Sequence, residues 1–404
     1  MIFLFSVMNW GETPMISTKN RFWILIGLVT ISGFSQGMLL PLLAIILEQN
    51  GVLSSVNGLH STGLYIGVLI ASPFMEKPLQ RFGFKPMILV GGVLVILSLA
   101  FFPLWNALWF WFILRVTVGI GDHMLHFGSQ TWITTTVKKE TRGRSIALYG
   151  LAFGLGFALG PLMTRLLSVN EALPFIVSAF LSLLVWSMMF FVRNSWPEDD
   201  ESSLQTSNSF SRFKDAAKIS WIALLAPLGY GFLEATLHGI FPIYGMRIGH
   251  DVDMLALIIP CFAAGSLISQ LPLGMLSDKI GRKKTLMIVI SAGAICFFVT
   301  SFLETSVMAL FILFTLSGMF VGSLFSLGVS YMTDLLPSRL LPAGNILCGI
   351  AFSLGSIGRP YLGGVFVQFF PNLSFFYVIT FMLVILFGLI AFKQDKSNKG
   401  LVHA

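Results

Sequence analysis

The sequence predicts an all-α membrane protein of twelve transmembrane helices, arranged as two six-helix, pseudo-repeated halves. Three observations predict it: an apolar composition, a recurrence of long apolar runs, and basic residues that sit in alternate breaks between those runs. Of the 404 residues, 55% are hydrophobic and 11% charged, against roughly 25% charged in an ordinary soluble domain. A water-soluble fold of this composition would expose too much apolar surface. The hydrocarbon core of a bilayer is roughly 30 Å thick, so a helix needs about 20 apolar residues to cross it. Backbone groups find no water there, which leaves helices or a closed barrel. A barrel strand would show about ten alternating residues, whereas the runs here are continuous and longer.

The runs predict spans over residues 22–47, 57–79, 86–105, 107–136, 143–168, 171–192, 217–246, 253–276, 285–304, 306–335, 341–370 and 372–393. The first follows Lys19 and Arg21 without a small-residue cleavage site, so it reads as a retained span and not a signal peptide. The preceding MIFLFSVM is too short to cross a bilayer; it reads as interfacial, or as lying upstream of a true start at Met15. The longest polar stretch separates six spans from six. This divides the chain into an N-terminal half over 1–192, a cytoplasmic linker over 193–216, a C-terminal half over 217–393 and a tail over 394–404. The linker carries Glu198, Asp199, Asp200 and Glu201, then a basic, aromatic segment SRFKDAAK that is expected on the membrane surface.

The net charge of +7 would suit nucleic acid, but its placement argues otherwise. With both termini in the cytoplasm, all but four of the 25 Lys and Arg fall in cytoplasmic segments. The exceptions are Arg115 and Arg359 inside spans and Arg165 and Arg247 near outer ends. This is the positive-inside bias, so the charge is topological and no nucleic-acid partner is expected. Cys261, Cys296 and Cys348 sit singly in apolar runs and read as packing thiols; no metal site or cofactor is expected.

The halves repeat. LAFGLGFALGP (Leu151 to Pro161) matches IAFSLGSIGRP (Ile350 to Pro360), and QRFGFK (Gln80 to Lys85) matches DKIGRK (Asp278 to Lys283) at nearly the same separation. The segment Gly274-Met-Leu-Ser-Asp278-Lys279-Ile-Gly281-Arg282-Lys283-Lys284 closely resembles the G-x-L-x-D-R-x-G-R-K loop motif of the major facilitator superfamily, and the resemblance extends over essentially the whole chain. Bacterial drug/proton antiporters of twelve helices are the members it is most like. Leu114-Arg115-Val116-Thr117-Val118-Gly119 resembles the Arg-containing motif of that family's fourth helix. Gly156, Gly160 and Pro161 match part of its antiporter motif, broken by Met163 and Thr164, and Gly358, Pro360, Gly363 and Gly364 echo it in span eleven, interrupted by Arg359. The resemblance implies a bacterial multi-pass protein of the cytoplasmic membrane, acting as a monomer with a small-molecule substrate by alternating access.

The residues carry physics of their own. Glycine permits tight turns and close helix packing, and Asp278 is placed to take a charge-assisted bond from a basic neighbour, a latch able to favour one conformation. In the first-half copy Gln80 replaces the Asp, so a latch there would be built around Glu76 with Arg81 or Lys85. Asp334, at the end of span ten, reads as a cap or gate.

An ionisable group at the bilayer centre costs ~3 kcal/mol on insertion scales, so it usually faces a cavity or a partner. In span four Arg115, Gly119, Asp122 and His126 recur at helical spacing; in span seven Glu234 and His238 are four apart. Asp122 and Glu234 are expected to carry protons or bind cations, with His126 and His238 as relays or substrate contacts. Arg115 is expected to tune Asp122 or bind a substrate carboxylate, the plain alternative being a fixed Arg115–Asp122 ion pair. Arg359 in span eleven and Gln36 in span one join the candidates, as do Ser32, Ser35 and Gln270 for hydrogen bonds; Tyr230, Tyr244 and Trp132 are candidate cavity walls, and His60 and His123 also fall in spans. These groups point to proton-coupled efflux of a drug-like, amphipathic, or metal-chelating, amino-acid-like molecule. The alternative is a proton-coupled importer or facilitator of a sugar or other metabolite. A membrane-embedded enzyme would call for a catalytic pattern such as His-Glu-x-x-His, and an ATP-driven pump for a P-loop; the sequence has neither.

Overall fold

The computed structural model describes residues 18–136, 142–196, 209–337, 340–370 and 373–392. Within these, the side chains of Glu76, Arg142, Arg144 and residues 358–362, among a few others, lie outside the description, as do the N-terminal MIFLFSVM, Met15, the acidic part of the linker and the tail. Every regular element among the described residues is helical.

Span 1 is Thr18–Gln49. Span 2 is Ser54–Ser61 and Gly63–Ala71, span 3 Phe84–Phe101, span 4 Leu108–Thr136, span 5 Arg142–Leu159 and span 6 Leu173–Ser187. In the second half, span 7 is Ser209–Gly239 with Phe241–Arg247, span 8 Val252–Ile280 and span 9 Arg282–Leu303. Span 10 is Val307–Val321 with Leu324–Leu335, span 11 Leu341–Phe369 and span 12 Phe376–Phe392. Among the described residues nine helices are long and apolar enough to cross a membrane, and two more are apolar but shorter; the split span 2 makes twelve.

The expected span boundaries shift where proline intervenes. Hydropathy carries span 2 to residue 79, but the helix tightens at Ser72–Phe74 and a separate helix Glu76–Phe82 follows, because Pro73 has no N–H to continue the ladder. Span 5 tightens over Gly160–Ser168 after Pro161 for the same reason. Span 7 begins at Ser209, so SRFKDAAK runs continuously into the membrane helix.

Helices in lipid gain little from the hydrophobic effect between them, so close backbone approach at small residues does much of the work. Span 1 packs along span 5, span 2 along span 4, and span 3 along spans 4 and 6; the pattern recurs as span 7 on 11, span 8 on 10, and span 9 on 10 and 12. Equivalent glycines set the register. Gly33 lies against the Phe153 carbonyl as Gly231 does against Phe352, and Gly156 against Thr30 as Gly355 against Leu228. Gly67 meets Val116 as Gly265 meets Thr315, and Gly119 meets Leu64 as Gly318 meets Phe262. The duplication read from two short motifs is thus a duplication of helix packing.

The halves meet where span 2 lies on span 11, span 5 on span 8 and span 1 on span 7. Polar contacts between them gather at one end. Arg247 of span 7 reaches Glu48 of span 1 at 2.7 Å and Ser54 of span 2 at 2.6 Å, and it also donates to the Val367 carbonyl at 3.2 Å. Arg165 pairs with Asp253 at 3.4 Å. At the opposite end lie the two motif turns, at Gly83 (φ 83°) and Gly281 (φ 95°), a conformation that only glycine adopts freely.

Candidate functional site

The polar interior of the first half is assembled from spans 1, 4 and 5. Asp122 is buried, and its carboxylate accepts hydrogen bonds from Ser32 Oγ and Gln36 Nε2, one turn apart on span 1. His126, one turn along span 4, brings its Nε2 to 3.0 Å from Ser32 Oγ and 3.8 Å from the Asp122 carboxylate. Its Nδ1 lies 2.8 Å from the Tyr149 hydroxyl, which lies 2.9 Å from Ser129 Oγ. When Asp122 is ionised, the single Ser32 proton is donated to it, so the Ser32 oxygen is left to accept from His126 Nε2–H and His126 Nδ1 to accept from Tyr149. The result is a connected path from Asp122 through Ser32 and His126 to Tyr149 and Ser129, in a medium where each such bond is strong and each missing one costly.

Arg115 does not pair with Asp122, against the ion-pair alternative. It is seven residues away on span 4, about 10 Å along the helix, and it donates to His60 Nδ1 at 3.1 Å and to the Leu39 carbonyl at 3.0 Å. His60 in turn lies 3.1 Å from the Leu108 carbonyl through Nε2. Arg115 therefore ties spans 1, 2 and 4 together inside the first half. His123 faces Ser72 at 3.2 Å, and Ser35 faces Ser182 at 3.3 Å.

In the second half Glu234 is buried, and among the described residues no hydrogen bond or ion pair reaches its carboxylate. His238 is buried with its ring 4.6 Å from that of Phe157 of span 5, and its Nδ1 has no partner among the described residues. Tyr230 lies among Phe325 and Phe352, at 6.4 and 6.1 Å between ring centres. Two candidate cavity walls are corrected. Tyr244 donates to Glu304 at 2.7 Å within the second half, and Trp132 is fully buried, stacked 5.2 Å from Phe84 with the Arg21 guanidinium over its face. A polar aromatic in a span often faces a cavity; here their own hydrogen-bond and stacking partners occupy both. Gln270 is exposed, and the side chain of Arg359 lies outside the described residues.

The motif loop has a definite geometry. Arg282 reaches Asp278 at 2.6 Å and Asp334 of span 10 at 3.0 Å, and also donates to Ser277, so one guanidinium joins spans 8, 9 and 10. Gly281 makes the turn; Lys279 and Lys283 flank it. Gly274 sits inside the span 8 helix with open space around it, so it serves neither as a turn nor as a close contact. The first-half copy is built from a residue that sequence reasoning missed. Asn194, after span 6, accepts from the Lys85 backbone N–H at 3.0 Å and donates to the Phe82 carbonyl at 2.9 Å, while Lys85 Nζ donates to the Phe190 carbonyl at 3.1 Å. The Glu76 side chain lies outside the described residues.

Of the packing motif, Gly156 and Gly160 lie directly on the span 1 backbone with Pro161 ending the regular helix, Gly363 meets Ile240, and Gly364 meets the Ser54 carbonyl of the other half. The surroundings of Gly358 and Pro360 fall outside the description. Sequence reasoning also missed Tyr149, Ser129, Tyr65 and Phe352; a tyrosine within an apolar span is the signal that would have found the first and third. Among the described residues no three His, Cys, Asp or Glu side chains gather as metal ligands would.

A family model described as Major Facilitator Superfamily matches residues 25–260 and 223–403. The chain belongs to the major facilitator superfamily. It is 52% identical over 380 residues to the uncharacterized MFS-type transporter YfkF of Bacillus subtilis strain 168, covering 94% of this chain and 97% of that one. It is 22% identical to Multidrug resistance protein 2 of the same organism, covering 94% and 96%. Among solved structures it is similar to a bacterial homolog of the human lysosomal transporter Spinster in an inward-facing, unoccupied conformation (TM-score 0.73, 16% identity, 93% and 97% covered). It is also similar to the nucleoside transporter NupG (TM-score 0.74, 13% identity, 93% and 100% covered). The fold, the multi-pass membrane character and the transporter family are therefore those the loop motif implied.

Proposed function

We propose that this superfamily transporter is a secondary active exporter that exchanges a small molecule for protons by alternating access. The observation that carries the reading is the Asp122 carboxylate, held by Ser32 and Gln36 of span 1 and continued through His126 to Tyr149. A proton taken up by Asp122 turns one acceptor oxygen into a donor, so either the bond from Gln36 is lost or the bond with Ser32 reverses, which reorders the hydrogen bonds through His126. Span 1 also packs on span 7 across the interface between halves, so that change is felt where the halves move. The basic bias supports a cytoplasmic Gly281 end, and on that orientation the Arg247 and Arg165 pairs join the halves on the outer side. Similarity to a multidrug resistance protein supports export of a drug-like or amphipathic solute.

The test is transport in proteoliposomes with Asp122→Asn, whose amide keeps the shape but cannot ionise. Transport driven by an imposed pH gradient is expected to vanish while solute counterflow, which needs no net proton movement, survives. Gradient-driven transport at the wild-type rate would rule out Asp122 as the proton site. Accumulation of solute in the same direction as proton flow would turn the reading to import.

A further inference from the structure

A cavity lies at the end of the first half opposite the motif turns, where the chain passes from span 3 to span 4 and from span 5 to span 6. Pro103 tightens the end of span 3 over Phe102–Leu104, and the chain then extends at Trp105. Between spans 5 and 6 the Asn170 side chain accepts from the Ala172 backbone N–H at 2.8 Å, a turn of the kind asparagine favours, with Glu171 at its tip. The two connections enclose a cavity of about 290 Å³, near the ~300 Å³ at which small-molecule sites begin.

The cavity has an aromatic floor and a polar rim. Phe102, Trp111 and Phe175 make the floor and are all buried, with the Phe102 ring 5.0 Å from that of Phe175 and 6.1 Å from that of Trp111. Trp111 Nε1 is spent on the Phe102 carbonyl at 3.0 Å, so the floor offers only its rings. Asn106, Asn170 and Glu171 make the rim and are exposed. Among the described residues no ion pair reaches the Glu171 carboxylate, and no Lys or Arg lines the cavity. One uncompensated negative charge over aromatic surface is the chemistry that receives an ammonium. The side-chain amides of Asn106 and Asn170 add N–H donors for an anion beside it.

The surroundings say what carries that ammonium. Trp105 and Trp109, in and just after the same connection, are 54% and 56% exposed with their rings 4.9 Å apart, and exposed tryptophans gather at the level of lipid headgroups. Toward the bilayer centre spans 3 and 6 pack on each other and expose Leu97, Phe101, Ile176 and Phe180. Polar cavity and apolar surface thus follow one another along these two spans, the order of headgroup and chains in a phospholipid.

We propose that the cavity binds a phospholipid whose headgroup carries a primary ammonium beside its phosphate, the ammonium on Glu171 over the aromatic floor and the phosphate on the two asparagine amides. On the orientation that the basic bias supports, this lipid belongs to the outer leaflet. Neither Asp122 nor any of its partners lines the cavity, so the inference stands apart from the exchange reading. A trimethylated headgroup brings no N–H to the carboxylate, and a glycerol headgroup brings no positive charge at all.

The experiment titrates the purified full chain in detergent with phosphatidylethanolamine, phosphatidylcholine and phosphatidylglycerol of identical acyl chains, counting bound lipid by native mass spectrometry. Phosphatidylethanolamine is expected to fill one site ahead of the other two. Because Glu171 is exposed, its contribution is that of a surface pair, and Glu171→Gln is expected to weaken that binding about fivefold. Glu171→Asp is expected to keep the preference and Glu171→Lys to turn it toward phosphatidylglycerol. Equal binding of the three lipids by the wild type, or a phosphatidylethanolamine preference that survives Glu171→Lys, overturns the site. Glycerophosphoethanolamine, the headgroup without its chains, is expected to compete only weakly; displacement of the lipid by an equal concentration of it overturns the lipid assignment and makes the ligand a soluble ammonium compound.

Discussion

Replacing Arg247 by Met keeps the apolar stem of the side chain and removes the charge that joins spans 1, 2, 7 and 11 at the closed end. Arg247 makes a charge-assisted bond to Glu48 at 2.7 Å and reaches Ser54 at 2.6 Å. Such bonds are each worth ~1.5–3 kcal/mol when shielded. Arg247 is 37% exposed, so water and salt screen part of this, and about 1–2 kcal/mol is the contribution to expect. At about 1.4 kcal/mol per factor of ten, opening at this end should become about five- to thirtyfold more populated in Arg247→Met. The reporter is a cysteine at Ser61, buried beside Gly239 of the other half, in a background with Cys261, Cys296 and Cys348 replaced by Ala. Its labelling rate by a membrane-impermeant maleimide should rise by that factor. Glu48→Gln should raise it similarly, and the double variant should show little beyond either single change. A labelling rate unchanged in Arg247→Met, with the protein still folded, would refute the assignment of this pair as the closure.

Three further outcomes follow from the geometry. Tyr149→Phe removes the hydroxyl on His126 Nδ1, leaving a buried ring nitrogen without a partner at a cost of ~1–3 kcal/mol; gradient-driven transport should slow about tenfold or more while solute binding, by dialysis, is unchanged. Gly281→Ala places a side chain at φ 95°, costing about 1–2 kcal/mol, whereas Gly274→Ala, with open space around it, should leave the thermal midpoint in detergent where it was. Arg282→Gln cuts the link from span 9 to Asp278 and Asp334, both carboxylates being more than half exposed, so it should lower the midpoint by only a degree or two while changing cysteine accessibility at the Gly281 end.

The twelve spans were legible because the bilayer demands a fixed length of apolar chain, and that demand is written into composition whatever the helices pack against. Their ends were less legible at Pro73 and Pro161, where a missing N–H changes the helix without changing hydropathy. Candidate residues were legible one at a time, since a charge in a span is conspicuous; their partners were not. Nothing in the sequence places Arg115 on His60 and Leu39 and not on Asp122, because helical spacing says which residues share a face and not which helix that face meets. The same limit hid the correspondence between the two carboxylates. Ser32 and Gln36 share no identity with Tyr230 and Glu234, and Asp122 has Val321 as its counterpart in the repeat. Only the glycine contacts, which survive because a Cβ there would strike a neighbouring backbone, keep the register through the region where the chemistry has diverged. A duplicated fold preserves its packing residues and frees its polar ones, so the two halves keep one arrangement of helices while the side chains set into it diverge.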